Sequence, residues 1–245
     1  MSTGLLWLIP APPLAGFALL AFLGARLTRR ATAAIGVGGI GLAALATFIA
    51  AGKLLSLPET ERVLSQPLWT WLSVSGLSAQ IALRLDALSL VMALVVTVIG
   101  FFIHLYSAEY MAEDERPDRG YARFFAYMNL FVAMMLTLVL ADNLLLLYVG
   151  WEGVGLCSYL LIGFWYQDPA NGAAARKAFI VTRIGDTALT ISLFLLVAQF
   201  RTLDIAAISN AAQTAWTPDG ALAVAVALLL LGGAVGKSAQ LPLQT

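Results

Sequence analysis

Seven apolar runs, each near the length needed to cross a bilayer, divide this chain at almost every cluster of charge: residues 4–24, 31–52, 85–108, 121–141, 143–166, 175–199 and 220–241. A spanning helix needs about 20 mostly apolar residues, because the hydrocarbon core is about 30 Å thick and a helix rises about 1.5 Å per residue. A water-facing globule is a poor alternative. Only 11% of the 245 residues are charged and mean hydropathy is +0.87, whereas soluble domains carry about 25% charge. Lipid is therefore the solvent for most of this surface. The expected fold class is all-α integral membrane, with about seven transmembrane helices.

The positive-inside rule orients them. The N-terminal apolar run precedes Arg26, Arg29 and Arg30 rather than following them. A cleavable signal has the reverse order, so this segment reads as a retained first span with its N-terminus outside. Alternating loops then place Arg26, Arg29, Arg30, Arg116, Arg119, Arg123, Arg176 and Lys177 on the cytoplasmic side, and Lys53, Arg62, Arg84 and Arg201 opposite. Pro10, Pro12 and Pro13 should bend or delay the first helix, since proline lacks a donor and clashes with the preceding turn.

Residues 53–84 are too long for a tight turn. Around Ser75-Gly76 the partly alternating stretch PLWTWLSVSGLSAQIALRL predicts a short outer β-hairpin. The segment EYMAEDERPDRGY is a charged cytoplasmic loop, and 201–219 holds a short surface helix. The domain division follows: 1–120 carries spans one to three with hairpin and charged loop, and 121–245 carries spans four to seven.

Two stretches imitate nucleotide sites. GVGGIG at 36–41 fits GxGxxG, but lies inside a span rather than after a strand, so close helix packing is the better reading. GGAVGKS at 232–238 lacks the first P-loop glycine, Leu231 standing there instead. A formal net charge of zero gives no electrostatic case for nucleic acid. Cys157, the one cysteine, reads as an inert packing residue, and no cysteine–histidine cluster points to a metal.

The informative residues are charges inside the spans, each costing roughly 2.5–3.5 kcal/mol to insert. Glu152 sits mid-span among Gly150, Gly153 and Gly155, with Tyr148 one turn away to hydrogen-bond its carboxyl. Arg183 and Asp186, three residues apart, share a helical face and can pair. Lys237 follows Gly232, Gly233 and Gly236 and precedes Pro242, the pattern of a helix broken within the membrane at an ion site. We expect Glu152 and Lys237 to line a proton path, with Arg183, Asp186 and Tyr148 as electrostatic support. His104, at the cytoplasmic end of the third span, is expected to be solvated, and Asp142 to cap the following helix.

The stretch RFFAYMNLFVAMMLTLVLADNLLLLYVGWEGVGLCSYLLIGFWY, the segment KAFIVTRIGDTALT and the ending GGAVGKSAQLPLQT resemble the largest antiporter-like membrane subunit (subunit L in bacteria) of respiratory complex I, the proton-pumping NADH:quinone oxidoreductase. The resemblance implies that Glu152 is the family's glutamate of the fifth helix, acting on a lysine that corresponds to Lys237 of a broken seventh helix. It implies partners among the other membrane subunits, a hetero-oligomer, and a multi-pass place in the bacterial inner membrane rather than the mitochondrial one. No cofactor is expected in this chain; NADH, FMN, iron–sulfur clusters and quinone belong to other subunits. Family members are much longer and carry a second, inverted repeat, so 121–245 corresponds to an incomplete first antiporter-like repeat. Two other readings share these residues: a subunit of a multisubunit cation/proton antiporter or membrane-bound hydrogenase, and a non-transporting scaffold.

Overall fold

The computed structural model describes residues 4–74, 77–113, 120–217 and 219–244. The apolar runs become helices α1 (Ala11–Leu23), α2 (Arg29–Leu55), α3 (Ala87–Tyr110), α4 (Tyr121–Val139), α5 (Leu144–Ile162), α6 (Pro169–Phe200) and α8 (Ala221–Lys237), with α7 (Ile205–Ala215) the short helix expected within 201–219. Five of them, α2 to α6, are long and apolar enough to cross a membrane. At 13 and 17 residues, α1 and α8 are shorter than the spans read there. In α1 the cause is proline: a 3₁₀ turn occupies Leu6–Leu8, and the helix starts only where Pro12 and Pro13 fit its first turn. α8 stops at Lys237, with Ala239 in the left-handed region at φ 50°.

Local chemistry sets most helix starts. Thr28 accepts from the Ala31 amide, Asp86 and Ser89 form a reciprocal capping box, and Asp204 accepts from the Ala207 amide; such caps satisfy backbone donors that have no partner within the helix. Phe22, Leu88 and Phe194 are among the large apolar side chains left exposed, at 85%, 75% and 68%. An apolar outside is what a lipid solvent permits, and the polar groups turn inward. Asn129 of α4 is fully buried and donates to the Gly36 and Phe125 carbonyls. It fits because Gly16 and Gly39 face it, where a Cβ would come within 2.6 and 2.9 Å of its Oδ1. The GVGGIG stretch is thus a helix-packing surface inside α2.

The hairpin strands β1 (Leu64–Val74) and β2 (Leu77–Leu85) pair antiparallel; the Ser75-Gly76 turn lies outside the described residues, as does 114–119 of the charged loop. Arg84 and Asp142 backbone amides donate to Leu140 and Ala82, the Asn143 amide group reaches the Gln80 carbonyl at 2.7 Å, and the Ile205 amide donates to Asp142. Hairpin, α4–α5 turn and α7 are stitched together at one end. At the other end Arg29 donates to the Ala112 carbonyl and Arg123 to that of Phe164.

Two expectations are corrected. His104 is not solvated but fully buried, its Nδ1 2.8 Å from the Gly100 carbonyl oxygen and its ring against Phe125. A π turn at Val95–Ile99 interrupts α3; its extra residue rotates everything downstream by about 100°, a phase change that no local signal announces. Asp142 does not cap α5. Asn143 does, accepting from the Leu146 amide, while Asp142 lies 3.8 Å from Arg84.

Burial raises the proton affinity of Asp142 above the ordinary carboxylate, neighbouring Asp204 adds to the rise, and Arg84 opposes both. A carboxyl raised on folding stabilises this junction most below its unfolded value, and that contribution is lost as pH rises through the folded value. Asp142→Asn should therefore hold hairpin and α4–α5 turn together with a flatter pH dependence above about pH 4. Amide exchange at Arg84, Leu144 and Ile205, which donate to Leu140, Leu203 and Asp142, corrected for intrinsic rates, checks this; identical pH profiles for both proteins would refute it.

Candidate functional site

Glu152, Trp151 and Tyr148 come from α5, Arg183, Asp186 and Thr190 from α6, and Lys237 from the last residue of α8. Glycines let these backbones close. A Cβ on Gly150 would stand 2.6 Å from the Leu138 amide nitrogen of α4, and one on Gly155 2.7 Å from Lys237 Nζ, so bare backbone at 155 is what makes room for the ammonium. Gly185 of α6 meets α8 at a backbone crossing: its Cβ would lie 3.0 Å from both the Gly232 carbonyl oxygen and Gly236 Cα. Small residues at helix interfaces allow such approach in lipid.

All five side chains named from the sequence converge; Arg183 and Asp186 stand within ion-pair distance across one helical face, and Arg183 also takes Glu152. Glu152 Oε2 is ion-paired with Arg183 Nη1, making Glu152 the first partner of Arg183. Asp186 Oδ2 lies between two cations, 4.0 Å from Arg183 Nε and 3.8 Å from Lys237 Nζ. Lys237 therefore meets Glu152 only through the intervening pair. The Asp186 side chain is 3% exposed, those of Lys237 and Glu152 19%, and that of Arg183 40%, so the network runs from a buried centre to a more open rim. Two carboxylates and two cations sum to zero, which is how an apolar span tolerates them.

Uncharged groups complete the arrangement. The Tyr148 hydroxyl lies 2.9 Å from Thr190 Oγ1, which is 2.8 Å from the Asp186 carbonyl oxygen. Trp151 Nε1 donates to Asp186 Oδ1 at 2.5 Å, and its ring lies 5.6 Å from Lys237 Nζ. Trp151, Thr190 and Gly185 were not read from the sequence. A mid-span indole beside a buried carboxylate is a usable signal for Trp151, because a buried indole N–H seeks an acceptor. A glycine preceding Asp186 in a long helix is the corresponding signal for Gly185.

Beside Lys237 a cavity of about 590 Å³ lies among α3, α4, α5 and α6; Ser158, Tyr159 and Thr182 supply hydroxyls to its wall, and Phe131 and Met92 apolar surface. Cys157 is buried and free, as expected of a packing residue. Among the described residues no group of three or more His, Cys, Asp or Glu converges as a metal-ligand set. Chemically the site holds one cation that keeps its proton, Arg183, and three groups able to exchange one.

Comparison with known proteins finds two family matches. Residues 71–125 match the family described as NADH-ubiquinone oxidoreductase (complex I), chain 5 N-terminus. Residues 141–245 match the transmembrane family of NADH:quinone oxidoreductase and Mrp antiporters. NADH-quinone oxidoreductase subunit L of Escherichia coli K12 is 53% identical over 233 residues, 95% of this chain and 37% of that protein. Its counterpart from Mycobacterium tuberculosis H37Rv is 45% identical over 252 residues, covering 100% and 37%. The chain thus spans little more than a third of these relatives. Among solved structures, the Mrp complex from Dietzia sp. DQ12-45-1b superposes with a TM-score of 0.76 at 28% identity, over 98% of this chain and 24% of that one.

Proposed function

We propose that this chain, which belongs to the antiporter-like membrane-subunit family of NADH:quinone oxidoreductases and Mrp antiporters, is a proton-translocating membrane subunit of a bacterial NADH:quinone oxidoreductase. The observation that carries the reading is the run Glu152–Arg183–Asp186–Lys237 through helices that are otherwise apolar. Glu152 and Lys237 take and release the proton; Arg183 and Asp186 supply the field between them, and Tyr148 steadies Glu152.

Energetically the network is on the right scale. Moving one charge against about 100 mV costs roughly 2.3 kcal/mol. Two unit charges about 4 Å apart interact by roughly 4 kcal/mol at an effective dielectric near 20. Gain or loss of one of the two cations beside Asp186, as when Lys237 gives up its proton, therefore stores or releases energy comparable to one translocation step. Redox chemistry, with NADH, FMN, iron–sulfur clusters and quinone, belongs to other subunits, so this chain contributes transport rather than electron transfer. Its partners are the other membrane subunits of the complex, in the bacterial inner membrane. On this reading residues 121–245 are an incomplete first antiporter-like repeat, preceded by the helices, hairpin and charged loop of 1–120.

A second reading, a subunit of an Mrp-type cation/proton antiporter, draws on the superposition with the Mrp complex; the identity of 53% to subunit L against 28% to the Mrp chain favours the first. Affinity purification from the native membrane distinguishes them. The complex I reading requires co-purification with flavin and iron–sulfur subunits, and uncoupler-sensitive proton uptake into proteoliposomes driven by NADH. Isolation with antiporter subunits that oxidise no NADH would sink it.

A further inference from the structure

Two consecutive residues of α5 grip two partners on one face of α6. Glu152 takes Arg183, and Trp151 takes Asp186, with an indole N–H to Oδ1 distance of 2.5 Å. Because Oδ1 is engaged by the indole, only Oδ2 of Asp186 faces the cations, 4.0 Å from Arg183 Nε and 3.8 Å from Lys237 Nζ. Neither contact is short enough for a hydrogen bond. The carboxylate is thus held almost midway, committed to neither cation. The same indole presents its ring to Lys237 at 5.6 Å, so the tryptophan touches both members of the inner pair.

We propose that the Trp151 indole N–H is the positioning group of this site: it anchors one oxygen of Asp186 so that the other is shared between Arg183 and Lys237. This deepens, and rests on, the proton-translocation reading above. Without the anchor, a carboxylate with both oxygens available collapses onto one cation as a direct, bidentate or hydrogen-bonded pair. The inner pair then becomes a fixed structural bridge, and exchange between the Glu152–Arg183 side and the Lys237 side stops. The indole contributes a donor without adding charge, which serine or lysine at this place would not combine with a ring for the ammonium.

The test uses the intact membrane complex in proteoliposomes. Trp151→Phe keeps an aromatic ring beneath Lys237 and removes the donor together with the second ring of the indole. The rate of NADH-driven proton translocation is expected to fall about tenfold, the change that losing about 1.4 kcal/mol of interaction produces, in a complex assembled to its normal amount. The same substitution in an Asp186→Asn background should add almost nothing, because the anchored carboxylate is already gone; independent packing would instead give equal effects in both backgrounds. Should the phenylalanine variant fail to assemble, the benzothiophene analogue of tryptophan at 151, which keeps the two-ring shape without the N–H, gives the same reading. Unchanged translocation in either donor-free variant, or additive effects with Asp186→Asn, overturns the proposal. Lys237→Ala in parallel separates the two levels: normal translocation there sinks the transport reading itself, whereas loss in Lys237→Ala with none in Trp151→Phe sinks the positioning role alone.

Discussion

Lys237→Ala is expected to lower the rate of NADH-driven proton translocation by at least about a hundredfold, a loss of roughly 2.7 kcal/mol or more in the transport step, while the complex still assembles. The lysine supplies one of the two cations that face Asp186 Oδ2, at 3.8 Å, and its ammonium sits against the bare backbone of Gly155. Removing it leaves no exchangeable group on α8 at this depth. The companion variant Lys237→Arg makes the argument sharper. Arginine restores the charge beside Asp186 but keeps its proton under all ordinary conditions. If Lys237 served only as a counter-ion, arginine would rescue transport; if it carries the proton, arginine assembles and does not pump. Both variants are scored per assembled complex, because leaving Asp186 one cation short also weakens the helix contact. Lys237→Arg with full pumping would reduce this lysine to electrostatic support.

The second large effect is structural. Gly185→Leu should prevent α8 from docking on α6. Even a methyl group at 185 would stand 3.0 Å from the Gly232 carbonyl oxygen and from Gly236 Cα, backbone atoms that cannot rotate away. Overpacking a well-fitted core costs about 1–3 kcal/mol, and a four-carbon side chain at a backbone crossing belongs at or above the top of that range. The outcome is a protein that fails to accumulate in the assembled complex, measured by native electrophoresis of detergent-solubilised membranes. Gly185→Ala should fall between, because its single carbon asks the crossing to open by only a few tenths of an ångström. Normal accumulation of the leucine variant would mean that the α6–α8 crossing does not set the position of Lys237.

Much of the architecture was legible because its causes are local. Runs of about 20 apolar residues mark helices that lipid can solvate. Alternation around Ser75-Gly76 marked the two strands for the same reason. Mid-span charges stood out individually, each against an apolar background. What could not be read has non-local causes. The π turn at Val95–Ile99 lies in an apolar stretch with no breaker, and it carries His104 inward to Phe125, away from solvent. Asp142 and Asn143 are both competent caps; the hairpin decides between them by bringing Arg84 to the aspartate.

The mid-span charges divide along the same line. Residue order alone determined that Glu152, Arg183, Asp186 and Lys237 sit inside apolar helices and that Arg183 and Asp186 share a face; the break expected near Gly232, Gly233 and Gly236 is instead a helix that runs through them and ends at Lys237. Only the tertiary structure decided that Glu152 belongs to Arg183, that Asp186 stands between Arg183 and Lys237, and that Trp151 holds it there. The physical reason is depth. Partnership between helices depends on how far each has slid along its neighbour, and that offset is set where Gly185 crosses Gly232 and Gly236 and where Gly155 leaves room for an ammonium.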